Sequence, residues 1–385
     1  MSKSDQTGTA ENRPPLPVGE GWGEGCGHKP ALDAKTVKEA AMRFGADAVG
    51  IASLDRFDGA PPEMDPRYIA PRAKSLIGMI FRIPRGYLRG CEEGTHFFQY
   101  PSMGYGAINE NIAPTTLYET ARFIEDRGYE GVVYRNTGGR SARSDMTGVA
   151  AREESPELHR VAQKGGTNSS PNVRSLLARP SAEGLPAPDV FIHFRIAAFL
   201  CGLGEIGYSK MLLTPQFGPL NRQAFLLTDA ELEPDPIYDG PQLCNHCMAC
   251  VAACPGQCIS REEQIKIELA GHDVSWGKLD EWKCFAYYIG ANKATNPFMP
   301  RDAFKDIPDG AALMRGDPSV RITAESYTPV NDAINRHYPA EPGGYNPPKC
   351  GGCLRACLHS LEARGVLNCH FNERFRTRKP WKLEN

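Results

Sequence analysis

The chain of 385 residues has no long hydrophobic run. Its longest, around Leu76 to Phe81, is interrupted by Gly78 and falls far short of the ~20 apolar residues that a membrane-spanning helix needs. No membrane association is expected. The chain also has little net charge, −2 with an isoelectric point near 6.5, so nothing pulls it as a whole toward nucleic acid or an anionic membrane surface. Residues 1–30 lack an apolar signal core and a twin-arginine pair, so no export signal is expected there and the expected compartment is the cytoplasm. The same stretch is polar and rich in Gly and Pro, which reads as a loosely draped arm.

Cysteine, by contrast, is plentiful: there are 13. In a reducing compartment that number favours metal binding over a disulfide framework. Eight of them carry the signal. The first run is Cys244, Cys247, Cys250 and Cys254, the last followed by Pro255; the second is Cys350, Cys353 and Cys357; Cys284 stands alone between them. Three thiolates within seven positions can hold three corners of a [4Fe–4S] cube, while a fourth before proline reaches a neighbouring cluster. With the last cysteine of each run serving the other run's cluster, Cys357 completes Cys244, Cys247 and Cys250, and Cys254 and Cys284 complete Cys350 and Cys353. Two zinc sites are the competing reading, but a third cysteine so soon after each pair does not suit tetrahedral zinc. The spacing predicts two clusters and therefore electron transfer. Of the remainder, Cys26, Cys91, Cys201, Cys258 and Cys369 read mostly as small buried hydrophobes. Cys26 near His28 and Cys369 beside His370 offer too few ligands for a metal site on their own.

Upstream, apolar residues at Leu32, Val37, Ala40, Ala41 and Phe44, with Asp33 as N-cap and Gly45 as stop, predict a helix. Strands are predicted around Ala48 to Ile51, over Ser75 to Phe81 and over Gly131 to Tyr134, with a second helix over Pro114 to Arg127 ending at Gly128. The alternation indicates an α/β layer, and the continuous Leu76–Phe81 run suits a strand covered on both faces. Residues 136–189 are polar and read as a lid, a binding loop or disorder. A helix ending at Gly202 then leads into Gly202-Leu203-Gly204-Glu205-Ile206-Gly207 and a strand through Phe225 to Leu227. That G-x-G-x-x-G spacing would suit a dinucleotide, yet here it follows a helix instead of opening one after a first strand. The expected organisation is an arm over 1–30, an α/β domain over 31–240 and a cysteine-rich module over 241–385. An insertion between Cys284 and Cys350 interrupts the module, and its stretch 301–331 is expected to pack over the first domain. The basic C-terminal stretch from Arg374 to Asn385 reads as a solvated tail, with nucleic-acid binding as the alternative.

The segment Ala197 to Asp229, followed by the first cysteine run, resembles the cobalamin-dependent reductases: the reductive dehalogenases and, more distantly, epoxyqueuosine reductase. The KCFAYY segment around Cys284 resembles the isolated cysteine segment of the same enzymes. This resemblance spans roughly residues 190–360. It implies a nitroreductase-like cobalamin-binding domain followed by a ferredoxin-like module with two [4Fe–4S] clusters, and cobalamin held base-off. Consistent with that, the chain has no D-x-H-x-x-G run to supply a lower cobalt ligand.

Carried over residue by residue, the resemblance implies that Gly202, Leu203, Gly204, Glu205, Ile206, Gly207 and Tyr208, with Leu213, Thr214 and Pro215, line the corrinoid. Arg222 falls on the family's cavity arginine, a surface ion pair being its other reading. Tyr134 is the candidate proton donor, with Tyr105 and Tyr100 behind it, because a phenol is a neutral donor near pH 7. His193 and Arg195 are candidates for shaping a polar or anionic substrate pocket, or else ordinary polar groups on a helix. The implied activity is reductive dehalogenation, or cleavage of a comparable activated bond, in a small organic molecule, with a ferredoxin or flavodoxin as electron donor. Alternatives are tRNA modification of the epoxyqueuosine reductase kind and a non-catalytic electron carrier. Against the former, the segment Val133-Tyr134-Arg135-Asn136 lacks the aspartate of those enzymes. Nucleic acid is not expected as a partner, and a homodimer stays open.

Overall fold

The computed structural model describes residues 32–60, 64–135, 192–337 and 350–383. Segment 136–189 and the Cys26–His28 pair therefore lie outside the described residues. The core is a four-stranded sheet in the order β1 (Ala48–Ser53), β2 (Ser75–Arg82), β6 (Asn221–Thr228), β3 (Gly131–Tyr134), each neighbour antiparallel. This is a mixed α/β architecture. Neighbouring strands pair antiparallel, Ile77 of β2 opposite Leu226 of β6 and Val133 of β3 opposite Leu226 on the other side.

β2 is buried along its length apart from Arg82 because both faces are covered. Ile77, Met79 and Phe81 pack with Val37 and Ala41 of the helix Ala34–Arg43 and with Leu117 and Ile124 of the helix Ala113–Glu125. The alternate residues Leu76 and Ile80 pack with Phe194, Ile196 and Phe199 of the helix Phe194–Leu200 on the opposite face. Two glycines make that second packing possible. Gly50 and Gly78 are direct cross-strand partners. A Cβ at Gly50 would lie 2.1 Å from the Cys201 carbonyl oxygen, and one at Gly78 would lie 3.0 Å from Cys201 Sγ. The helix caps follow the sequence: the Asp33 carboxylate accepts the Thr36 N–H at 2.7 Å, and Gly45 adopts a positive φ after the helix ends.

Beyond the sheet, the short strands β4 (Glu205–Ile206) and β5 (Leu212–Leu213) pair, and a long hairpin, β7 (Ile259–Leu269) with β8 (His272–Leu279), follows the first cysteine run. Residues 301–331 do not pack over the sheet domain. Phe304, Leu313, Val320 and Ile322 instead build a separate core with Ala286 and Tyr287 of the helix Glu281–Tyr288.

The basic C-terminal stretch is not a solvated tail either. Phe375 is fully buried, the Trp381 N–H donates to the Glu92 carbonyl at 2.8 Å, and the Trp381 ring lies against Gly94, which has no Cβ to obstruct it. Arg376 and Arg355 both bind the buried Glu92 carboxylate, Arg355 at 2.7 Å. The chain end is thus latched to the α/β layer. Among the described residues, no helix is long and apolar enough to cross a membrane.

Candidate functional site

Eight cysteines approach one another in two groups of four. Cys244, Cys247, Cys250 and Cys357 line one small hollow together with Tyr208, Ser360 and Arg364. Its loop is tightly held. Glu205 accepts the backbone N–H groups of Leu243, at 3.1 Å, and of Cys244, while the Tyr208 N–H points at Cys244 Sγ at 3.3 Å. His246 and Met248 adopt left-handed backbone to wrap the thiols inward.

Cys254, Cys284, Cys350 and Cys353, with Cys258 as a fifth sulfur, line a second, larger cavity. One helix serves both groups. Cys353 and Cys357 are four residues apart on the helix Gly352–Arg364 and so share a face, one turned to each hollow. Cys284 sits on the helix Glu281–Tyr288.

Burial pushes Cys250 up to about 11 and Cys350 up to about 12, and raises Cys353 well above the ordinary thiol range with its neighbouring thiols adding to the effect. Cys254 goes the other way, down to about 6, chiefly because the Cys258 thiol hydrogen-bonds to it. Buried sulfurs crowded in this way do not ionise together unless a metal compensates their charge. Among the described residues, no three of the His, Cys, Asp and Glu side chains are grouped tightly enough to hold a single metal ion. Four thiols facing a shared hollow are a donor set of the softness and number that suit an iron–sulfur cube.

The lining of the large cavity also has a second chemistry. Arg222, on β6 opposite Phe81, lines it with Arg195, Tyr100, Tyr105, Tyr288 and Glu281. The Arg222 Nε donates to Asn109 Oδ1 at 3.0 Å, and its guanidinium lies 3.9 Å over the Tyr105 ring centroid. Tyr105 and Asn109 come from an unusual π-helical stretch, Ser102–Ile112, which runs into the helix Ala113–Glu125. The Tyr105 and Tyr288 rings are 5.9 Å apart. Burial raises Tyr100 and Tyr288 far above the ordinary phenol range, so both keep their protons at neutral pH. Burial lowers Arg195, but a guanidinium stays charged in a protein.

Several candidates read from the sequence lie elsewhere. Tyr134 does not line the cavity: it ends β3 opposite Phe225 and packs on Phe194, ring centroids 5.7 Å apart. His193 caps the helix Phe194–Leu200, its Nδ1 accepting the Ile196 N–H at 3.3 Å. Burial, then Lys210 and Arg195, hold it well below its usual value, so it is neutral at pH 7 and is no proton source. The glycine turn is also set back from the large cavity. A Cβ at Gly202 would strike the Pro236 carbonyl oxygen and one at Gly204 the Leu213 carbonyl oxygen, so these glycines serve backbone packing. Gly207, Tyr208 and Leu213 face the first cysteine hollow, and the Glu205 carboxylate grips the loop of that hollow. Thr214 is buried and accepts the Phe217 N–H. The cavity is lined instead by the adjacent Ser209, Met211 and Leu212. Sequence reasoning missed Tyr288, which the four-residue spacing from Cys284 on one helix signals, and Asn109, which no motif signals.

No family model matches the chain. A stretch of 72 residues is 42% identical to tetrachloroethene reductive dehalogenases of Desulfitobacterium hafniense and Dehalobacter restrictus, covering 18% of this chain and 13% of each relative. Among solved structures, a catabolic reductive dehalogenase is similar over 78% of this chain and 35% of its own, at 19% identity and a TM-score of 0.42. An epoxyqueuosine reductase bound to a tRNA stem loop is similar over 86% of this chain and 82% of its own, at 14% identity and a TM-score of 0.38. The chain thus spans little more than a third of the dehalogenase structure it matches.

Proposed function

We propose, with the local likeness to reductive dehalogenases as premise, that this chain is a corrinoid-dependent reductase. It would remove a halide, or a comparable leaving group, from a small organic molecule using two electrons and a proton: R–X + 2e⁻ + H⁺ → R–H + X⁻. In this reading the α/β layer of 31–240 is the nitroreductase-like cobalamin domain and 241–385 the ferredoxin-like module. The observation that carries it is the large cavity itself, whose lining holds four of the paired cysteines together with an arginine–tyrosine cluster. The apolar side chains of Met211, Leu212, Leu279 and Phe285 in the same lining suit the flat face of a macrocycle. Cobalamin, when bound, supplies low-valent cobalt for breaking the carbon–halogen bond.

The protein's part is to deliver electrons, hold the substrate and move a proton. Cys244, Cys247, Cys250 and Cys357 would bind the outer cluster, and Cys254, Cys284, Cys350 and Cys353 the one beside the cavity, with a small ferredoxin or flavodoxin as donor. Arg222, anchored by Asn109, orients the substrate, and with Arg195 it favours a molecule that carries a negative group. Tyr105, rather than Tyr134, donates the proton, because it lines the cavity and the Arg222 guanidinium over its ring stabilises the phenolate left behind.

Anaerobic reconstitution with iron, sulfide and hydroxocobalamin tests this reading. Two [4Fe–4S] signals and a base-off cobalt signal by EPR, with halide release from a halogenated carboxylic acid or phenol, are the expected result. Protein that binds neither clusters nor corrinoid, or that binds tRNA tightly instead, overturns it.

A further inference from the structure

The first cysteine hollow also holds a hydroxyl. Ser360 lines it, and the Ser360 Oγ lies 3.3 Å from Cys247 Sγ. Cys247 is exposed, whereas Cys250 of the same hollow is buried.

The backbone builds this contact from both sides. Ser360 stands three residues beyond Cys357 on the helix Gly352–Arg364, so the two share the face turned to the hollow. Hydroxyls inside a helix commonly bond back to the carbonyl four residues earlier, as Thr116 does to Ile112 at 3.0 Å and Thr120 to Thr116 at 2.7 Å. Ser360 turns instead to the neighbouring loop. That loop brings the sulfur to it, because His246 and Met248, on either side of Cys247, both have positive φ, +53° and +59°. Further along the helix, Arg364 donates to the Leu243 carbonyl and pins the start of the same loop. The loop is therefore held against the helix by a contact separate from Ser360.

Which atom donates follows from the chemistry. A cysteine that ligates iron is a thiolate with no proton to give, so the bond runs from the hydroxyl to the sulfur. Resting on the cluster reading above, we infer that Ser360 is a positioning residue for electron entry: its O–H donates to Cys247 Sγ and makes the outer cluster easier to reduce by the ferredoxin or flavodoxin donor. A hydrogen bond to a ligand sulfur stabilises the negative charge that a cluster gains with one electron. That electron comes from the donor, which is oxidised, and no covalent bond forms or breaks. The Tyr208 N–H, 3.3 Å from Cys244 Sγ, also points into this hollow, but it belongs to the backbone and stays when Ser360 is replaced.

The experiment is an EPR-monitored redox titration of the reconstituted full chain as wild type, Ser360→Ala and Ser360→Thr. In Ser360→Ala the outer cluster should be harder to reduce, its ratio of reduced to oxidised form at a fixed potential falling about threefold. That is the lower end of what one hydrogen bond contributes, because water reaches the exposed Cys247 and replaces part of the bond. Ser360→Thr, which keeps the hydroxyl, should recover most of that ratio, and the cavity-side cluster should not move in either variant. Unshifted titrations with both clusters present overturn the role of Ser360 and leave the cluster reading standing. So does a shift that Ser360→Thr fails to reverse, or one shared equally by both clusters, since neither comes from a single hydrogen bond. Loss of the outer cluster in Ser360→Ala makes Ser360 an assembly residue and overturns the tuning role. A wild type that forms no clusters overturns the reading on which the inference rests.

Discussion

Replacing Tyr105 by Phe separates the proposed proton donor from the rest of the cavity. The substitution keeps the ring beneath Arg222, where the guanidinium stands 3.9 Å from the centroid, and removes only the O–H. Binding of clusters and corrinoid should therefore be unchanged, as should KM. A positioned general acid is typically worth about 10² to 10⁴ in rate, or about 3 to 5 kcal/mol at ~1.4 kcal/mol per tenfold. The structure points to the lower end, because Tyr288 offers a second phenol with its ring 5.9 Å away. A loss of about 10² in kcat is expected for Tyr105→Phe, and one approaching 10⁴ for Tyr105→Phe with Tyr288→Phe. Halide release under anaerobic conditions with a titanium(III) reductant measures both. Tyr134→Phe is the control, since that ring packs on Phe194 outside the cavity, and it should stay within about twofold of wild type on the scale of an ordinary packing contact. Full activity in the double variant, or a large loss in Tyr134→Phe alone, refutes the assignment.

The pairing of the cysteines can be read by EPR: Cys357→Ala should abolish the same cluster signal as Cys244→Ala, and Cys353→Ala the same signal as Cys284→Ala, whereas loss by sequence neighbourhood would couple Cys357 to Cys350. Glu92→Ala strands Arg355 and Arg376 without their shared buried carboxylate and should cost about 3–5 kcal/mol in urea unfolding, with release of the C-terminal stretch detectable by limited proteolysis. His193, held neutral in the fold, takes up a proton only on unfolding, so its contribution to stability is present above its ordinary pKa of about 6.5 and is lost as pH falls below that. From pH 6.5 to 5.5 that loss is about 1 kcal/mol, and His193→Asn, which keeps a capping side chain, should remove this part of the acid sensitivity in a series of melting curves. Gly50→Ala should destabilise by more than about 1 kcal/mol, because the added methyl meets the Cys201 carbonyl and β1 cannot move away from β2; an unchanged melting temperature contradicts that packing.

Local signals in the sequence were enough for the sheet layer. Asp33 and Gly45 bracket one helix, and the Gly131–Tyr134 strand has the bounds its pattern gives, because caps and alternation act within a few residues. The antiparallel pairing was not legible, since it depends on which strands meet across 140 residues of chain, as β2 and β6 do. Spacing also sorts the eight cysteines into their two hollows, but it says nothing of Cys258, whose place depends on the left-handed turn at Gln257. The glycine turn suggests a ligand cradle because glycine permits close approach of any kind; what approaches here is the protein's own backbone at Pro236 and Leu213. Tyr134 and Tyr105 both suited proton transfer by chemical type, and only the sheet and the π-helical stretch decide which one reaches the cavity. A basic C-terminal stretch gives no hint of Glu92, 284 residues away from Arg376, which latches it.

The helix Gly352–Arg364 donates one sulfur to each hollow from neighbouring turns, about 6 Å apart along its axis. That arrangement makes it a rigid yoke. If the proposed clusters occupy the two hollows, the gap between them is a property of peptide geometry and not of how two lobes happen to close, so it should hold steady while the rest of the molecule breathes. It would also couple their maturation, since whichever cube is inserted first would seat the yoke and present the remaining thiol to the second. A kink introduced between Cys353 and Cys357 would consequently impair both centres at once, although it touches neither.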